Sequence, residues 1–501
     1  MIKTLLVATR DRNRLAEILQ VASRFGLGVL LARLGLERGD GDADDPQTLP
    51  RRTRLALEEL GPTFVKLGQI LATRGDLLPP DWIAELELLH SRAPTLPFEE
   101  LRPAVEEALG QPPESAFARF DPEPLAAASM AQVHRATLKD GRAVVLKIRR
   151  PGIRPRMEAD LRLIAQLATA AESASVEVRR FAPAAMMRQL AEAVLEELDF
   201  TGEGRNADRL RAGFAREPQV VVPEIHWAWT SEALLVMDYV DGVPPRDGAT
   251  LRAAGIDPAA IASLGADIVL DMVLVNGRFH ADPHPGNLLC LSGDRIALLD
   301  LGMIGHVSPR RREEFIGFVQ SLNAGDPAAL ADVLAGWSTG SGVPSERIQR
   351  AADRLIARHG GGRVVLSAIV ADFLPLMRDE GMTMPPDLLL IFKALATIDG
   401  VLTAIQPEFD LSAAMQRSAL RIAQARLSPE HWAPTLQALA WELGKIGSDA
   451  PRLLRAAIRR LESEPVPPEQ NAGAATLAAG RWIASAIVVG AALIAATLHF
   501  G

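Results

Sequence analysis

A single cysteine, Cys290, occurs among the 501 residues of this chain. One cysteine excludes an internal disulfide, a zinc cluster and an iron–sulfur site built by this chain alone. Cys290 follows two leucines in an apolar run, so we expect a small buried side chain rather than a reactive thiol. The shortage of cysteine also fits a reducing compartment that faces the cytosol.

Positive charge is not in excess either. The chain has 54 Lys and Arg residues against 62 Asp and Glu residues, which gives a formal net charge of −8. Neutralising the phosphates of a nucleic acid requires a basic surface, so we expect no nucleic-acid partner. Aromatic residues make up only 5% of the chain, whereas hydrophobic residues make up 48%. This Ala- and Leu-rich composition provides a sizeable core and favours helices over an all-β fold.

Long uncharged stretches are rare, and the first residues contain none that resembles a secretory signal. The exception is residues 482–500, which contain no Asp, Glu, Lys or Arg. At about 1.5 Å per residue, a helix of this length just spans the roughly 30 Å of a bilayer core. We expect residues 481–500 to form a single-pass C-terminal anchor in the inner (cytoplasmic) membrane, with the rest of the chain in the cytoplasm. A buried C-terminal helix of a soluble domain is the alternative.

The most informative segment contains Asp282 and Asn287, and a second acid, Asp300, follows thirteen residues after the asparagine. Apolar strand patterns lie after Asn287 and before Asp300, so a hairpin would return Asp300 to the loop 282–287. This spacing is typical of the metal and nucleotide site of protein kinases. In such sites the first Asp faces the attacking hydroxyl or water, and the Asn and the second Asp hold magnesium. A polar turn between two buried strands, with acids that only cap backbone N–H groups, is the alternative.

Lys147 lies in Val-Val-Leu-Lys-Ile, a strand pattern with one cation among apolar residues. A buried charge is costly unless it is paired, and in kinases a lysine at this place binds the α- and β-phosphates and an acid from a nearby helix. We expect that acid in one helix over 196–206, which offers Glu197, Asp199 and Glu203. Helical spacing alone does not show which of the three acids pairs with Lys147. An edge-strand lysine with its ammonium group in water is the alternative.

The glycine-rich phosphate loop of protein kinases is missing before the lysine strand. An alanine-rich segment stands there and includes Ala127, Ala128 and Ser129. Backbone N–H groups of these residues could still bind phosphates, but alanine resists the positive φ that glycine accepts freely. We therefore expect a different nucleotide pose, or weak phosphoryl transfer to a protein hydroxyl.

The patterns along the chain predict an α+β fold with two lobes, a small N-lobe that contains strands and a large helical C-lobe, as in an atypical protein kinase. Strand patterns begin near Phe120 and recur at 143–149, 220–226 and 234–240. After Gly242 we expect helices apart from the hairpin around the site. Helices after residue 310 would complete the C-lobe core or, alternatively, contact anionic lipid headgroups. The predicted segments are an N-terminal amphipathic helix at 1–36, an acidic linker at 37–50, a helical extension at 51–117, the N-lobe at 118–242, the C-lobe with the catalytic loop at 243–463, a linker at 464–480 and the transmembrane helix at 481–500.

Five motifs, in order along the chain, resemble the UbiB family of atypical kinases, whose eukaryotic members are called ADCK proteins. They are Lys66-Leu-Gly-Gln69, Ala-Gln-Val-His134, Glu-Leu-Asp-Phe-x-x-Glu-x-x-Asn206, His-x-Asp-x-His-Pro-Gly-Asn287 and Asp300-Leu-Gly. The resemblance covers roughly residues 50–310. Members of the family often carry two C-terminal membrane helices, whereas this chain has one convincing apolar run.

The resemblance implies roles for the residues of the two lobes. Lys147 would bind phosphates and pair with Glu203. Asp282 would orient or deprotonate the nucleophile, while Asn287 and Asp300 would hold Mg²⁺.

The resemblance also implies roles for the extension. Lys66 would reach toward the phosphates and face an acidic motif formed by Glu197 and Asp199. Gln69 would help to close the cleft where a kinase would bind its protein substrate. From the residues alone, Lys66 and Gln69 are interpreted as a surface lysine and a helix-capping glutamine.

Finally, the resemblance implies a function. Backbone groups near Met237 and Val240 would bind the adenine of ATP. Because the family is implicated in ubiquinone biosynthesis, the resemblance implies a membrane-anchored Mg²⁺-dependent ATPase that gives soluble ring-modifying enzymes access to isoprenoid quinone precursors in membrane lipid. Other quinone-biosynthesis proteins and a homodimer stay open as partners. A true kinase acting on a protein or small molecule, and a nucleotide-binding scaffold without turnover, are the alternatives.

Overall fold

The computed structural model describes residues 11–26, 48–72, 78–89, 94–174, 179, 183–338, 343–360, 366–382, 384–409, 414 and 441. Almost all of them belong to one unit, Met1–Ala423, and of the second unit, Gln424–Gly501, only Trp441 is described. The predicted linker at 464–480 and the predicted membrane helix at 481–500 lie outside the described residues, as does most of the predicted linker at 37–50.

Helices precede the first strand. Their bounds are α1 Arg12–Arg24, α2 Thr48–Leu60, α3 Pro62–Ala72, α4 Pro80–Leu86, α5 Phe98–Leu109 and the single turn α6 Pro113–Ala116. Proline begins α3, α4 and α6, where its fixed φ suits the first turn and its missing N–H group is not needed. Helix α1 buries Ile18, Val21 and Ala22. The described part of the predicted amphipathic helix is therefore a packing helix.

A four-stranded antiparallel sheet forms the small lobe, in the order β1-β2-β3-β5. Its strands are β1 Arg119–Ala127, β2 Ala131–Thr137, β3 Ala143–Arg149 and β5 Leu234–Asp238, and the helices between β3 and β5 are α7 Ile153–Ala174, α8 Pro183–Glu197 and α9 Phe200–Gly213. Successive side chains of a strand point to opposite faces. Leu146 and Ile148 are therefore buried in one core cluster with Phe98 and Leu101 of α5, whereas Lys147 projects from the other face.

The strand predicted at 220–226 is shorter than expected, and its backbone pairing with the small sheet is an isolated antiparallel bridge from Ile225 to Met237 of β5. Strand β4 Val220–Val221 instead pairs in parallel with β8 Arg295–Leu298, which also pairs with β7 Leu288–Leu291. Pro223 limits the length of β4 because proline has no N–H group for a strand ladder. The β7–β8 hairpin that was expected around the site is confirmed, with β4 as an additional strand.

A second strand pair, which the sequence did not predict, brackets the catalytic loop. Strand β6 Arg278–His280 pairs antiparallel with β9 Ile304–His306. Asp282 follows β6 and Asp300 precedes β9, so this pair and the β7–β8 hairpin together bring the two acids to one edge. Strands of three residues are too short to give a clear alternating pattern.

The large lobe is built mainly from helices. Their bounds are α10 Gly248–Ala253, α11 Pro258–Asp271, α12 Pro309–Ala324, α13 Pro327–Trp337, α14 Ser345–His359, α15 Leu366–Asp379 and α16 Pro386–Ile405. The rings of Phe318, Phe373 and Phe392 lie in contact within one buried cluster, so the helices after residue 310 complete the core.

The segments Pro258–Asn276 and Asp387–Ile405 are long and apolar enough to cross a membrane, but 67% and 61% of their apolar windows are buried inside the protein. That degree of burial is typical of core helices.

A buried ion pair joins α1 to the N-lobe, and the extension contacts the same carboxylate. Arg14 Nε of α1 lies 2.6 Å from Asp160 Oδ1 of α7, and the two side chains are only 9% and 1% exposed. The hydroxyl of Thr63 in α3 donates to Asp160 Oδ2 over 2.8 Å. Apolar residues of α1, α2, α3, α7 and α8 form one buried cluster around this pair. The extension is therefore packed on the helices that follow the lysine strand.

Replacing Asp160 by Asn should loosen this junction, because the Arg14 charge would lose its buried carboxylate and keep only the half-exposed Glu17 as an acidic partner. Removing one partner of a buried ion pair destabilises a protein by about 3 kcal/mol or more. We expect a decrease of that size in the free energy of unfolding, measured by urea denaturation. Asp140→Asn, in the exposed β2–β3 turn, is the matched control and should change stability little. Equal effects at both positions would contradict this role of the Arg14–Asp160 pair.

Candidate nucleotide site

Lys147 of β3 lies at the centre of the site. Its Nζ is 2.8 Å from Glu203 Oε2 of α9 and 2.9 Å from Asp300 Oδ1 of the C-lobe. The centroid of the Phe200 ring lies 5.4 Å from Nζ, a distance at which an aromatic face attracts a cation. Because β3 lies between β2 and β5, the alternative of an edge-strand lysine is wrong. The structure thus places Lys147 between carboxylates of both lobes, and its contact with phosphates stays a prediction.

Burial and charge shift the pKa values of these three groups in different ways. Burial lowers the pKa of Lys147, but the Asp300 and Glu203 carboxylates outweigh it, so the pKa is raised overall. The Lys147 charge lowers the pKa of Asp300 to about 2. Burial raises the pKa of Glu203 to about 7, although Lys147 opposes this. At neutral pH, Lys147 and Asp300 are therefore charged, while Glu203 is divided between its charged and neutral forms.

The acids near the lysine come from two helices, so the prediction of one helix over 196–206 is wrong. Helix α8 ends at Glu197 and α9 begins at Phe200. Asp199 is the N-cap of α9, and its Oδ1 accepts a hydrogen bond from the Thr201 N–H over 2.9 Å. This cap breaks the helix between Glu197 and Glu203. The two glutamates therefore pair with different lysines, which helical spacing did not reveal.

A second ion pair brings the extension to the site. Lys66 Nζ of α3 lies 2.6 Å from Glu197 Oε1, and the side chains are 11% and 22% exposed, so Lys66 is not a surface lysine. The charge of Lys66 also contributes to the low pKa of Asp300. The hydrogen bonds and ion pair of Asp199 in the described part of the chain lie within α9. Glu197, and not Asp199, therefore makes the predicted contact with Lys66.

Helix α3, which carries the Lys66-Leu-Gly-Gln69 motif, packs closely against the segment after α4. A Cβ atom on Gly68 would lie 2.2 Å from Leu89 Cδ1 and 3.0 Å from Leu57 Cδ1, so a side chain at this position would displace its neighbours. The Gln69 side chain donates to the Leu89 carbonyl over 3.2 Å. Gln69 thus joins two parts of the extension, and its predicted role in closing the cleft stays a prediction.

Asp282 and Asn287 lie at the two ends of a loop that is tied to the segment before Asp300. The Asn287 side-chain amide donates to the Asp282 carbonyl over 3.1 Å. The Leu299 N–H donates to the Asn287 carbonyl over 2.8 Å. Asp300 itself has a φ of 50°, which is uncommon for a residue other than glycine and is concentrated at functional sites. The predicted return of Asp300 to the loop is confirmed.

His280 also connects the loop to this segment, and the sequence analysis assigned it no role. Its Nδ1 accepts from the Asp282 N–H over 3.2 Å, so Nε2 carries the proton and donates to the Leu299 carbonyl over 3.0 Å. The ring is only 1% exposed, and burial lowers the pKa of His280. His280 is therefore a neutral positioning residue. The position of His280 two residues before Asp282 is the sequence signal that could have identified this role.

The alanine-rich segment forms the tight turn between β1 and β2. Ala127 ends β1, and Ser129 lies in the turn that follows. The Ala128 N–H donates to the Ala131 carbonyl over 2.8 Å, and the Arg150 Nε donates to the Ala128 carbonyl over 2.9 Å. The side chain of Arg150, just after β3, thus holds this turn in place. Phosphate binding by Ala127, Ala128 and Ser129 stays a prediction.

The residues predicted to bind adenine lie where the chain passes from the sheet to the C-lobe. Met237 of β5 is the strand partner of Val145 in β3, and Val240 follows β5. A little further on, Val243 and Cys290 exchange backbone hydrogen bonds of 2.9 and 2.8 Å, which joins this connection to β7. Cys290 is 1% exposed and burial raises its pKa to about 12, and this burial confirms the predicted small buried side chain.

The oxygen atoms near Asp300 suit a magnesium ion. Mg²⁺ prefers carboxylate and carbonyl oxygens, and it takes one or two protein ligands when substrate phosphates and water complete the shell. The Asp300 side chain is 54% exposed, so its second oxygen is open to such a ligand. Within the described ranges no group of three or more His, Cys, Asp or Glu residues forms a metal cage. Asn287 and Asp300 would thus hold the ion together with the phosphates.

A lysine from a distant helix reaches the catalytic loop. Lys393 Nζ of α16 lies 3.4 Å from Asp282 Oδ1, and the two side chains are 31% and 35% exposed. The sequence analysis missed this residue. The available signal was a single cation within the apolar run Leu-Leu-Leu-Ile-Phe-Lys-Ala-Leu-Ala.

Family models match both parts of the chain that build this site. The model of the ABC1 atypical kinase-like domain matches residues 88–334, which include the sheet and the catalytic loop. The model of the UbiB helical domain matches residues 362–410, which include Lys393.

Curated relatives extend over most of the chain. A protein of Xylella fastidiosa named Probable protein kinase UbiB is 34% identical over 475 residues, 91% of this chain and 85% of the relative. A protein of the same name from Marinobacter nauticus is 32% identical over 473 residues, 90% of this chain and 86% of the relative. Among solved structures, the complex of Rv3197 with erythromycin from Mycobacterium tuberculosis covers 81% of this chain and 97% of its own, with 19% identity and a TM-score of 0.50, which indicates a shared fold. The chain belongs to the UbiB family of atypical kinases, with an ABC1 kinase-like domain followed by a UbiB helical domain.

Proposed function

We propose that this protein binds ATP and Mg²⁺ between its lobes and transfers the terminal phosphoryl group to water, in support of ubiquinone biosynthesis at a membrane. The observation that carries the proposal is the arrangement of two lysines around Asp300. Lys147 contacts Asp300 directly, and the charge of Lys66 in the extension also favours the ionised form of Asp300. Such an arrangement suits a triphosphate, whose negative charge requires several cations.

Water as the acceptor is supported by the position of the extension. Lys66 of α3 contributes to the low pKa of Asp300. Burial raises the pKa of Glu87, which lies just after α4, and the Lys393 charge opposes this shift. Glu87 therefore lies near Lys393, which forms an ion pair with Asp282. Charged groups of the extension thus lie near enough to Asp300 and to Lys393 for electrostatic interaction. A polypeptide acceptor would need this space, whereas a water molecule would not.

The chemistry follows from the roles of the side chains. Asp282 would orient a water molecule and accept its proton while the water oxygen forms a bond to the γ-phosphorus. The bond from that phosphorus to the β,γ-bridging oxygen breaks, and its electron pair leaves with ADP. Glu203 would hold Lys147 at the α- and β-phosphates. Mg²⁺, held by Asn287 and Asp300, would supply charge neutralisation when bound.

The cellular role rests on family membership. Relatives carry the name UbiB, and a function in ubiquinone biosynthesis follows for this chain as a proposal. The apolar segment at 481–500 would hold the catalytic part at the inner membrane, where isoprenoid quinone precursors lie in the lipid. ATP turnover would help these precursors to reach soluble ring-modifying enzymes, which are the expected protein partners.

The acceptor can be identified with the purified full-length chain and ATP labelled on its γ-phosphate. We expect labelled inorganic phosphate, and Asp282→Asn should reduce its release by about 100-fold because the variant lacks the base. Asp140→Asn in the exposed β2–β3 turn should release phosphate at the wild-type rate. Stoichiometric transfer of label to a protein or small molecule would overturn water as the acceptor and favour a true kinase.

The reaction should depend on pH through Glu203, whose ionised form holds Lys147. With a pKa of about 7 for Glu203, we expect kcat/KM for ATP to rise with pH and level off above about 7, since kcat/KM reports the free enzyme. Glu203→Gln should be slow at every pH and lack this rise. The contribution of Glu203 to the free energy of unfolding changes with pH in the opposite direction to the rate. Since the raised pKa keeps a proton on the folded protein, stability from Glu203 is lost as pH rises from about 4.5 to 7. A flat wild-type rate profile would contradict this role.

Quinone lipids of a deletion strain test the cellular role. We expect a prenylated quinone precursor to accumulate, and wild-type protein but not Asp282→Asn to restore the lipid profile. Normal quinone lipids in the deletion strain would contradict a role in this biosynthesis. Full rescue by Asp282→Asn together with no rescue by Lys147→Ala would favour a nucleotide-binding scaffold without turnover.

A further inference from the structure

Lys393 differs from its surroundings in charge and in position. It is the only basic residue in the sequence of α16. Its neighbours Ile391, Phe392, Ala394 and Leu395 are at most 1% exposed, so the backbone that carries Lys393 is fixed in the C-lobe core. A cation in such a helix is costly unless a partner compensates for it.

The partners of Lys393 are acids at the catalytic loop and in the extension. Nζ lies 3.4 Å from Asp282 Oδ1. The Lys393 charge also acts on Glu87, the residue that follows α4. The Lys393 side chain is 31% exposed, so it keeps access to a ligand beside Asp282.

The loop itself provides no other cation at this place. Residues 283–286 are Pro-His-Pro-Gly. The imidazole of His284 is engaged within the loop, where Nδ1 accepts from the Gly286 N–H over 2.9 Å. Lys147 is shared between two carboxylates, and Lys66 faces Glu197. The terminal phosphate would lie between Asp282 and Asp300, and among the described residues the ion pair of Asp282 is with Lys393, which can therefore supply a cation on that side.

We propose that Lys393 of the UbiB helical domain is a catalytic residue that contacts the terminal phosphate of ATP. This inference rests on the proposed binding of ATP at the site. The ammonium group has three N–H donors, so it can keep one on Asp282 and direct another at a phosphate oxygen. As the bond between the γ-phosphorus and the β,γ-bridging oxygen breaks, the adjacent cation stabilises the charge on the transferring group. Asp282 accepts the proton of the attacking water, and Lys393 stays protonated throughout.

A consequence is that the helical domain completes the active site. Lys393 lies on α16 in the helical domain, while Lys147, Asn287 and Asp300 lie in the ABC1 domain. Loss of the terminal phosphate would remove a contact between the two domains. ATP and ADP would therefore differ in how they join the helical domain to the catalytic loop.

Three variants test the role of Lys393 in the full-length chain. Lys393→Met removes the charge and keeps the length of the stem, and Lys393→Arg keeps the charge. Lys139→Met makes the same change as the first variant at an exposed position of the β2–β3 turn and is the matched control. Phosphate release from ATP gives kcat, and displacement of a fluorescent nucleotide gives the dissociation constants of ADP and of a non-hydrolysable ATP analogue, both with Mg²⁺.

We expect Lys393→Met to lower kcat by about 100-fold, the typical effect of losing one donor to a developing negative charge. Its affinity for the ATP analogue should fall about tenfold, the effect of one charged hydrogen bond, while its affinity for ADP stays unchanged because ADP lacks the contacted phosphate. Lys393→Arg should recover most of both losses, and Lys139→Met should match the wild type.

Two outcomes would overturn the proposal. Wild-type kcat and wild-type preference for the ATP analogue in a folded Lys393→Met variant would exclude a contact with the terminal phosphate. An equal loss of affinity for ADP and for the analogue would indicate a structural role of the Lys393–Asp282 pair. A wild-type chain that binds neither nucleotide would overturn the proposed function as well, whereas the first two outcomes leave ATP binding intact and concern Lys393 alone.

Discussion

The positive charge of Lys147 joins the two lobes, because its carboxylate partners, Glu203 and Asp300, come from opposite sides of the site. Without the lysine, two buried or half-buried acids would face each other and repel. Without the acids, a cation would be buried in a central strand at high cost. The local structure positions all three side chains of this contact. The alternation of β3 directs Lys147 away from the core, the Asp199 cap starts α9 so that Glu203 lies in its first turn, and two strand pairs bring Asp300 to the same place.

The segments that surround this centre repeat the same pattern of one lysine against one acid. Lys66 of the extension pairs with Glu197, and Lys393 of the helical domain pairs with Asp282. The first pair brings the extension, and the second a core helix of the large lobe, to the rim of the candidate nucleotide site. The buried Arg14–Asp160 pair and its apolar cluster hold the extension in place. The proposed transfer to water, a small acceptor, rests on these contacts of the extension beside the site.

The sequence predicted the parts of the site that depend on short spacing. The loop with Asp282 and Asn287, the hairpin to Asp300 and the lone cation Lys147 all lie where the pattern indicated. The choice of Glu203 as the partner of Lys147 could not be made from helical spacing, because it depends on the Asp199 cap that breaks the predicted helix. The pairing of β4 with β8 and the contact of Lys393 with Asp282 join segments far apart in the chain, so no local pattern reveals them. Family resemblance supplied the role of Lys66, which the residues alone suggested to be a surface side chain.

Calorimetric titration of the full-length chain with ATP tests the central claim most directly. If Lys147, Asp282, Asn287 and Asp300 converge on one magnesium-bound triphosphate, the protein should bind one ATP per chain in the presence of Mg²⁺, and much more weakly when the metal is removed with a chelator. A folded protein that shows no uptake of ATP with Mg²⁺, or that binds ATP equally well without any divalent metal, would contradict the account.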